Sequence, residues 1–195
     1  MENLLIGLFL ATLITAFFTT RLYRLILWYS LNSLTLGLLA ILTGVGLHDN
    51  TMITSGALTL GLKAIVIPYI LKRISQKFNL PRQLKPSIKV HYFIILIPAI
   101  LVFTFYLANP ILSTATANTN YVAISISALF LSLLLIIEHR HIAPQIIGFL
   151  SIENSLFLLG TTATEGMPML IELGIFVDLL MAIVIINLLF KSEKA

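Results

Sequence analysis

The chain has 195 residues, 58% of them hydrophobic and 10% charged, with a mean hydropathy of +1.03; a soluble domain of this size cannot cover so much apolar surface. Long uncharged runs without strict period-two alternation exclude a porin-like barrel, so the expected fold class is all-α, a polytopic integral membrane protein. The sequence has no cysteine and four histidines, which removes thiolate metal sites, iron–sulfur clusters and disulfides, and its net charge of +4 sits mainly in loops between apolar runs, a positive-inside pattern and not a nucleic-acid surface.

Seven spans are expected, at about 4–20, 24–46, 52–73, 91–109, 121–138, 142–161 and 168–190. The first run, Leu4 to Thr20, differs from a signal peptide: Glu2 precedes it without a basic residue, and Arg21 and Arg24 end it in place of a cleavage site. The connection 74–90 is the longest and most basic, with Lys77, Arg82, Lys85 and Lys89, and Pro81 and Pro86 keep it from extending the preceding helix. Loop 1–2 (Arg21, Arg24), loop 5–6 (Arg140) and the tail (Lys191, Lys194) are also basic, whereas the three alternate loops carry no lysine or arginine. This distribution predicts an N-terminus outside, a cytoplasmic C-terminus and a location in the cell (cytoplasmic) membrane.

An internal repeat is the second signal. Asn32-Ser33-Leu34 recurs as Asn154-Ser155-Leu156, 122 residues on. Gly56 and Ala64-Ile65-Val66-Ile67 recur as Gly174 and Ala182-Ile183-Val184-Ile185, 118 residues on. The division expected is a three-helix unit over 1–73, a basic loop with a linking helix over 74–120, and a second three-helix unit over 121–195. With one span between them, the two units have the same orientation and are parallel repeats.

The units differ in their charges. Glu153 matches Leu31, Asp178 matches Leu60, and Lys63 matches Met181. Glu153 and Asp178 fall near the middle of their spans, where a carboxylate costs at least ~2.5–3.5 kcal/mol and normally serves ion movement; the alternative is a protonated acid hydrogen-bonded for packing. Lys63 lies too deep to snorkel. It reads as a proton relay or as a lysine paired permanently with an acid of another subunit. Pro68, five residues later, frees the carbonyl near Ala64 and can kink the helix and admit polar partners.

Other polar groups are auxiliary candidates. Glu172 lies about one turn inside span 7, and Glu138, His139, Arg140 and His141 form a polar loop between spans 5 and 6. Two histidines beside a glutamate, without a third or fourth ligand, are poor grounds for a metal site, and His48 with Asp49 in the 2–3 loop are no better. There is no Gly-rich phosphate loop, catalytic triad or Rossmann fingerprint. No cofactor, metal or catalytic residue is expected.

With these residues in place, the chain resembles the hydrogenase-4 component E (HyfE-like) membrane subunits of group 4 [NiFe] hydrogenase and formate hydrogenlyase complexes. The resemblance spans almost the whole chain, through RLYRLILWYSLNSL, LKAIVIPYILKR, GFLSIENSL and ELGIFVDLLMAIVI. The second unit is similar to the three-helix NuoK subunit of complex I and to MrpC of multisubunit cation/proton antiporters. Asp178 matches one of that subunit's two membrane glutamates; Glu153 stands one turn from the other, where this chain has Leu150. The resemblance implies a membrane-arm subunit, not an enzyme by itself, that couples redox chemistry elsewhere in a complex to proton or Na+ movement. Its partners would be antiporter-like and NuoH-like subunits within the lipid bilayer. A subunit of a cation/proton antiporter and a structural spacer in such a complex are the alternatives.

Overall fold

The computed structural model describes residues 1–77, 83–84, 90–112, 119–139 and 141–163. In chain order these form α1 (Glu2–Phe17), α2 (Leu22–Leu47), α3 (Asn50–Leu58), a π-helical segment π1 (Thr59–Val66), α4 (Ile67–Lys77), α5 (Val90–Leu112), α6 (Thr119–Glu138) and α7 (Ile142–Ala163). No strand occurs among the described residues. Among the described residues, five helical stretches are long and apolar enough to cross a membrane: Leu22–Leu47, Asn50–Lys77, His91–Ala108, Asn120–Glu138 and Ile142–Thr162. The all-helical fold is thus compatible with a membrane protein. Helix α1 has 16 residues, about 24 Å of helix at ~1.5 Å per residue, and falls short of a ~30 Å hydrocarbon core. The seventh expected span lies outside the described residues.

Helix α1 packs along α2, and α6 along α7; these two pairs meet through α2 against α7 and α1 against α6, while α5 lies mainly on α6. Apolar side chains such as Phe9, Leu13, Leu36, Leu131 and Leu150 fill the interior. Lipid is as apolar as these side chains, so close backbone approach and buried polar contacts must decide which helices pair. Both are present. A Cβ at Gly37 would stand 2.7 Å from Leu60 Cδ2 and 3.1 Å from the Gly56 carbonyl, so α2 and the Asn50–Lys77 stretch touch nearly backbone to backbone. At the α6–α7 seam a Cβ at Gly148 would meet Ile136 Cγ1 at 2.6 Å. Thr104 and Ser127 join hydroxyls between α5 and α6.

The turn between α2 and α3 needs two residues. His48 adopts the left-handed conformation (φ 54°), and the Asp49 N–H bonds back to the Gly44 carbonyl at 2.9 Å, closing the end of α2 in the manner of a Schellman motif. The Asp49 carboxylate then caps α3, accepting from the Thr51 N–H at 2.9 Å and the Thr51 hydroxyl at 2.6 Å. Those bonds, the hydroxyl first, hold the Asp49 carboxyl below its usual range. His48 and Asp49 therefore have a structural task in the turn.

The end of the third helix differs from the sequence reading. The third helix runs on to Lys77, four residues past the expected end, because no glycine or proline interrupts residues 74–77 and the next proline comes only at Pro81. At the same end of the bundle, the Leu84 N–H donates to the Thr20 carbonyl at 2.8 Å and Gln83 pairs with Arg21. Residues 83–84 of the basic connection thus dock on the α1–α2 turn.

Gly37→Val is expected to separate α2 from the Gly56–Leu60 stretch and to destabilise the protein by about 1–3 kcal/mol. Thermal denaturation in detergent reads the loss, and Gly7→Ala, where nothing lies within 4 Å of the new Cβ, is the control expected to be neutral.

Candidate functional site

The site begins with a proline. Pro68 has no N–H to offer the Ala64 carbonyl, and its ring crowds that oxygen, so a regular α-helix cannot continue through residues 64–68. The chain widens instead: from Thr59 to Val66 the helix is π, and the Ile67 N–H bonds to the Leu62 carbonyl, five residues back. Such wide turns are often found at functional sites. The released Ala64 carbonyl accepts from the Ser30 hydroxyl of α2 at 2.6 Å. The polar partner expected for this carbonyl is present, supplied by another helix of the same chain.

Lys63 lies inside the wide turn. Its Nζ is 3.1 Å from Glu153 Oε1 on α7, with the two side chains only 1% and 7% exposed. Both residues stand near the midpoints of their helical stretches, Asn50–Lys77 and Ile142–Thr162. Residues separated by ninety positions in sequence therefore form one buried ion pair, and Glu153 does not face lipid. The acid beside Lys63 is one of this chain's own, Glu153. A charge pair so placed needs close geometry, because removing each ion from water costs several kcal/mol that their attraction must offset.

Beside the pair runs a second polar seam. The Asn154 amide donates to Asn32 Oδ1 at 3.0 Å and to Ser33 Oγ at 2.9 Å. The Asn32 amide in turn donates to the Phe9 carbonyl at 2.9 Å and to Thr12 Oγ1 at 3.2 Å. On the other side of α7, Ser155 meets Ser132 of α6 at 3.3 Å. Four helices, α1, α2, α6 and α7, are thus tied at the level of Glu153 by amides and hydroxyls, the groups that associate helices in an apolar medium. The Asn-Ser-Leu motif is visible in the sequence as a repeat; its use as a contact between its own two copies appears only in the fold.

Glu138 and His139 need a correction. They were expected in a polar loop, yet they are 1% and 2% exposed. Glu138 ends α6, and the His139 ring lies with Nδ1 3.3 Å from the Leu135 carbonyl and 3.8 Å from Glu138 Oε2. Gln145 reaches back to the His139 carbonyl at 3.0 Å, folding the tight α6–α7 connection over both side chains. Burial holds the His139 pKa below the ordinary value, against the opposing Leu135 carbonyl. His141 is exposed. Among the described residues, no group of three or more His, Cys, Asp or Glu could hold a metal ion. Asp178 and Glu172 lie outside the described residues, as does Arg140.

Lys63→Met is expected to destabilise the protein, by up to about 3–5 kcal/mol where Glu153 stays ionised, and Lys63→Met with Glu153→Leu to recover most of the loss. Thermal denaturation of both single variants and the double variant measures this coupling. His139 sets a pH dependence. Its folded pKa is lowered, so its contribution to stability is present above the unfolded value of ~6.5 and is lost as pH falls through it. The His139→Gln variant should lose less stability than the parent between about pH 6.5 and pH 5.

No protein family matches the chain, and no solved structure matches it. A protein of Mycobacterium tuberculosis described as uncharacterized is 24% identical over 168 residues, covering 85% of this chain and 75% of its own length.

Proposed function

We propose that the chain is a cofactor-free membrane-arm subunit of a complex I-like, membrane-bound hydrogenase of the formate hydrogenlyase type, in which Glu153, Lys63 and Asp178 take part in moving protons or Na+. The observation that carries this reading is the Lys63–Glu153 pair, 3.1 Å apart and buried at mid-length of two apolar helices. Hydrophobic residues of similar volume often hold a fold as well as a buried ion pair does. Ionisable groups at this depth, by contrast, are the usual elements of ion paths. A carboxylate beside an ammonium in a low dielectric changes its charge when a neighbouring charge moves, and that is the coupling a membrane arm requires.

The reading extends to the architecture. Seven spans in two parallel three-helix NuoK-like units would place the Asn-Ser-Leu motif at corresponding positions, and the contact of Asn32 with Asn154 is what a rotation axis between the units produces. Docking of residues 83–84 on the α1–α2 turn gathers two basic connections at one end, in keeping with that end being cytoplasmic. The partners are the antiporter-like and NuoH-like subunits of the same assembly, in the cytoplasmic membrane.

Purification of the chain from its native membrane in mild detergent is expected to bring nickel–iron and iron–sulfur subunits with it; copurification with antiporter subunits alone would overturn the hydrogenase assignment. In the intact complex, Glu153→Gln and Asp178→Asn should assemble and lower ion translocation by about tenfold or more, since a positioned proton carrier contributes ~10²–10⁴-fold. Normal translocation in both variants would leave only a spacer role.

A further inference from the structure

We propose that Ser30 is a positioning residue for the ion pair: its hydroxyl holds the wide helical turn open and so aims Lys63 at Glu153. This deepens the role proposed for that pair. The bond from Ser30 Oγ to the Ala64 carbonyl is 2.6 Å, and Ala64 directly follows Lys63. The carbonyl is free to accept it because Pro68 cannot donate. If the segment closed into an α-helix, one residue's register would change, and a side chain in it would turn by about 100° around the axis. Lys63 meets Glu153 of α7 in the π arrangement, in which the Ile67 N–H reaches the Leu62 carbonyl.

Helix α2 does the same for the other partner. Asn154, which directly follows Glu153, is bonded to Asn32 and Ser33, two and three residues beyond Ser30. Each charged residue thus has its next neighbour fastened to the same turn of α2. The distance between Lys63 and Glu153 is set by a third helix that carries neither of them.

The repeat supports this assignment. Ser30, Lys63 and Pro68 match Ile152, Met181 and Ile186 in the second half. The half without the lysine also has neither the proline that frees the carbonyl nor the hydroxyl that takes it up. Serine, lysine and proline occur as a set.

A membrane-permeant carbodiimide applied to the full chain in its native membrane tests the geometry. It adds to the Glu153 carboxyl to give an O-acylisourea, which either forms an amide with a contacting Lys63, releasing the urea, or rearranges to the stable N-acylurea. Peptide mass spectrometry reads the ratio of the two products, and Lys63→Met identifies the first by abolishing it. Ser30→Ala should lower the ratio by about tenfold or more, because small misplacements of reacting groups cost such factors. Ser30→Thr, which keeps the hydroxyl, should restore it. Pro68→Ala returns an N–H to the helix and should also lower the ratio, with Ser30→Ala adding nothing in that background. An unchanged ratio in Ser30→Ala, or a fall that threonine does not rescue, would overturn the proposal; if Ser30→Ala does not accumulate, an unchanged ratio in Pro68→Ala overturns it. The ratio does not depend on transport. A lowered ratio together with normal translocation in Glu153→Gln would therefore keep the positioning role and remove the ion-path reading.

Discussion

A lysine and a glutamate 3.1 Å apart between apolar helices constrain everything around them. Either ion alone there is costly. The two helices that carry them must be kept in register along their length and in rotation about their axes. Close packing of apolar side chains does not supply that register by itself, since helices in lipid gain little from apolar contact with one another. The fold supplies it with directional bonds. Ser30 holds the segment that bears Lys63, and Asn32 with Ser33 holds the helix that bears Glu153.

Proline and glycine act together in this arrangement. Pro68 makes the Asn50–Lys77 stretch irregular by withholding a donor, and the irregularity is absorbed as a π segment whose carbonyl another helix satisfies. Non-helical or widened backbone survives at membrane depth only where such partners exist. Gly37 and Gly56 let α2 come close enough to provide them. A methyl group at either glycine would push α2 outward and lengthen the Ser30 bond along with it.

Polarity at one end of the bundle follows a different rule. The α6–α7 connection is so short that Glu138 and His139 are folded inward, with Gln145 closing over them. Residues that read as solvated from their composition become interior groups because the hairpin leaves no room for a loop. At the opposite turn of α2 and α3, His48 and Asp49 stay at the surface and spend their polar atoms on capping. Similar residues in similarly short turns thus meet opposite environments.

The helical class was legible in the apolar runs, because a bilayer-sized stretch without charges has few other uses. That Lys63 and Glu153 each need a partner was also legible, since a charge in such a run stands out by its cost. Pro68 announced a free carbonyl near Ala64 by its chemistry alone. What the sequence could not show was who answers these requirements. That Lys63 pairs with Glu153 depends on the rotation of two helices about their axes, which the π segment sets and which no apolar periodicity reports. Ser30 carries no signal in the sequence for the same reason: a hydroxyl in an apolar helix is silent until a partner thirty-four residues away is brought within 2.6 Å. Local chemistry determined which groups needed partners. Only the tertiary structure, through helix register and close approach, decided which partners they found.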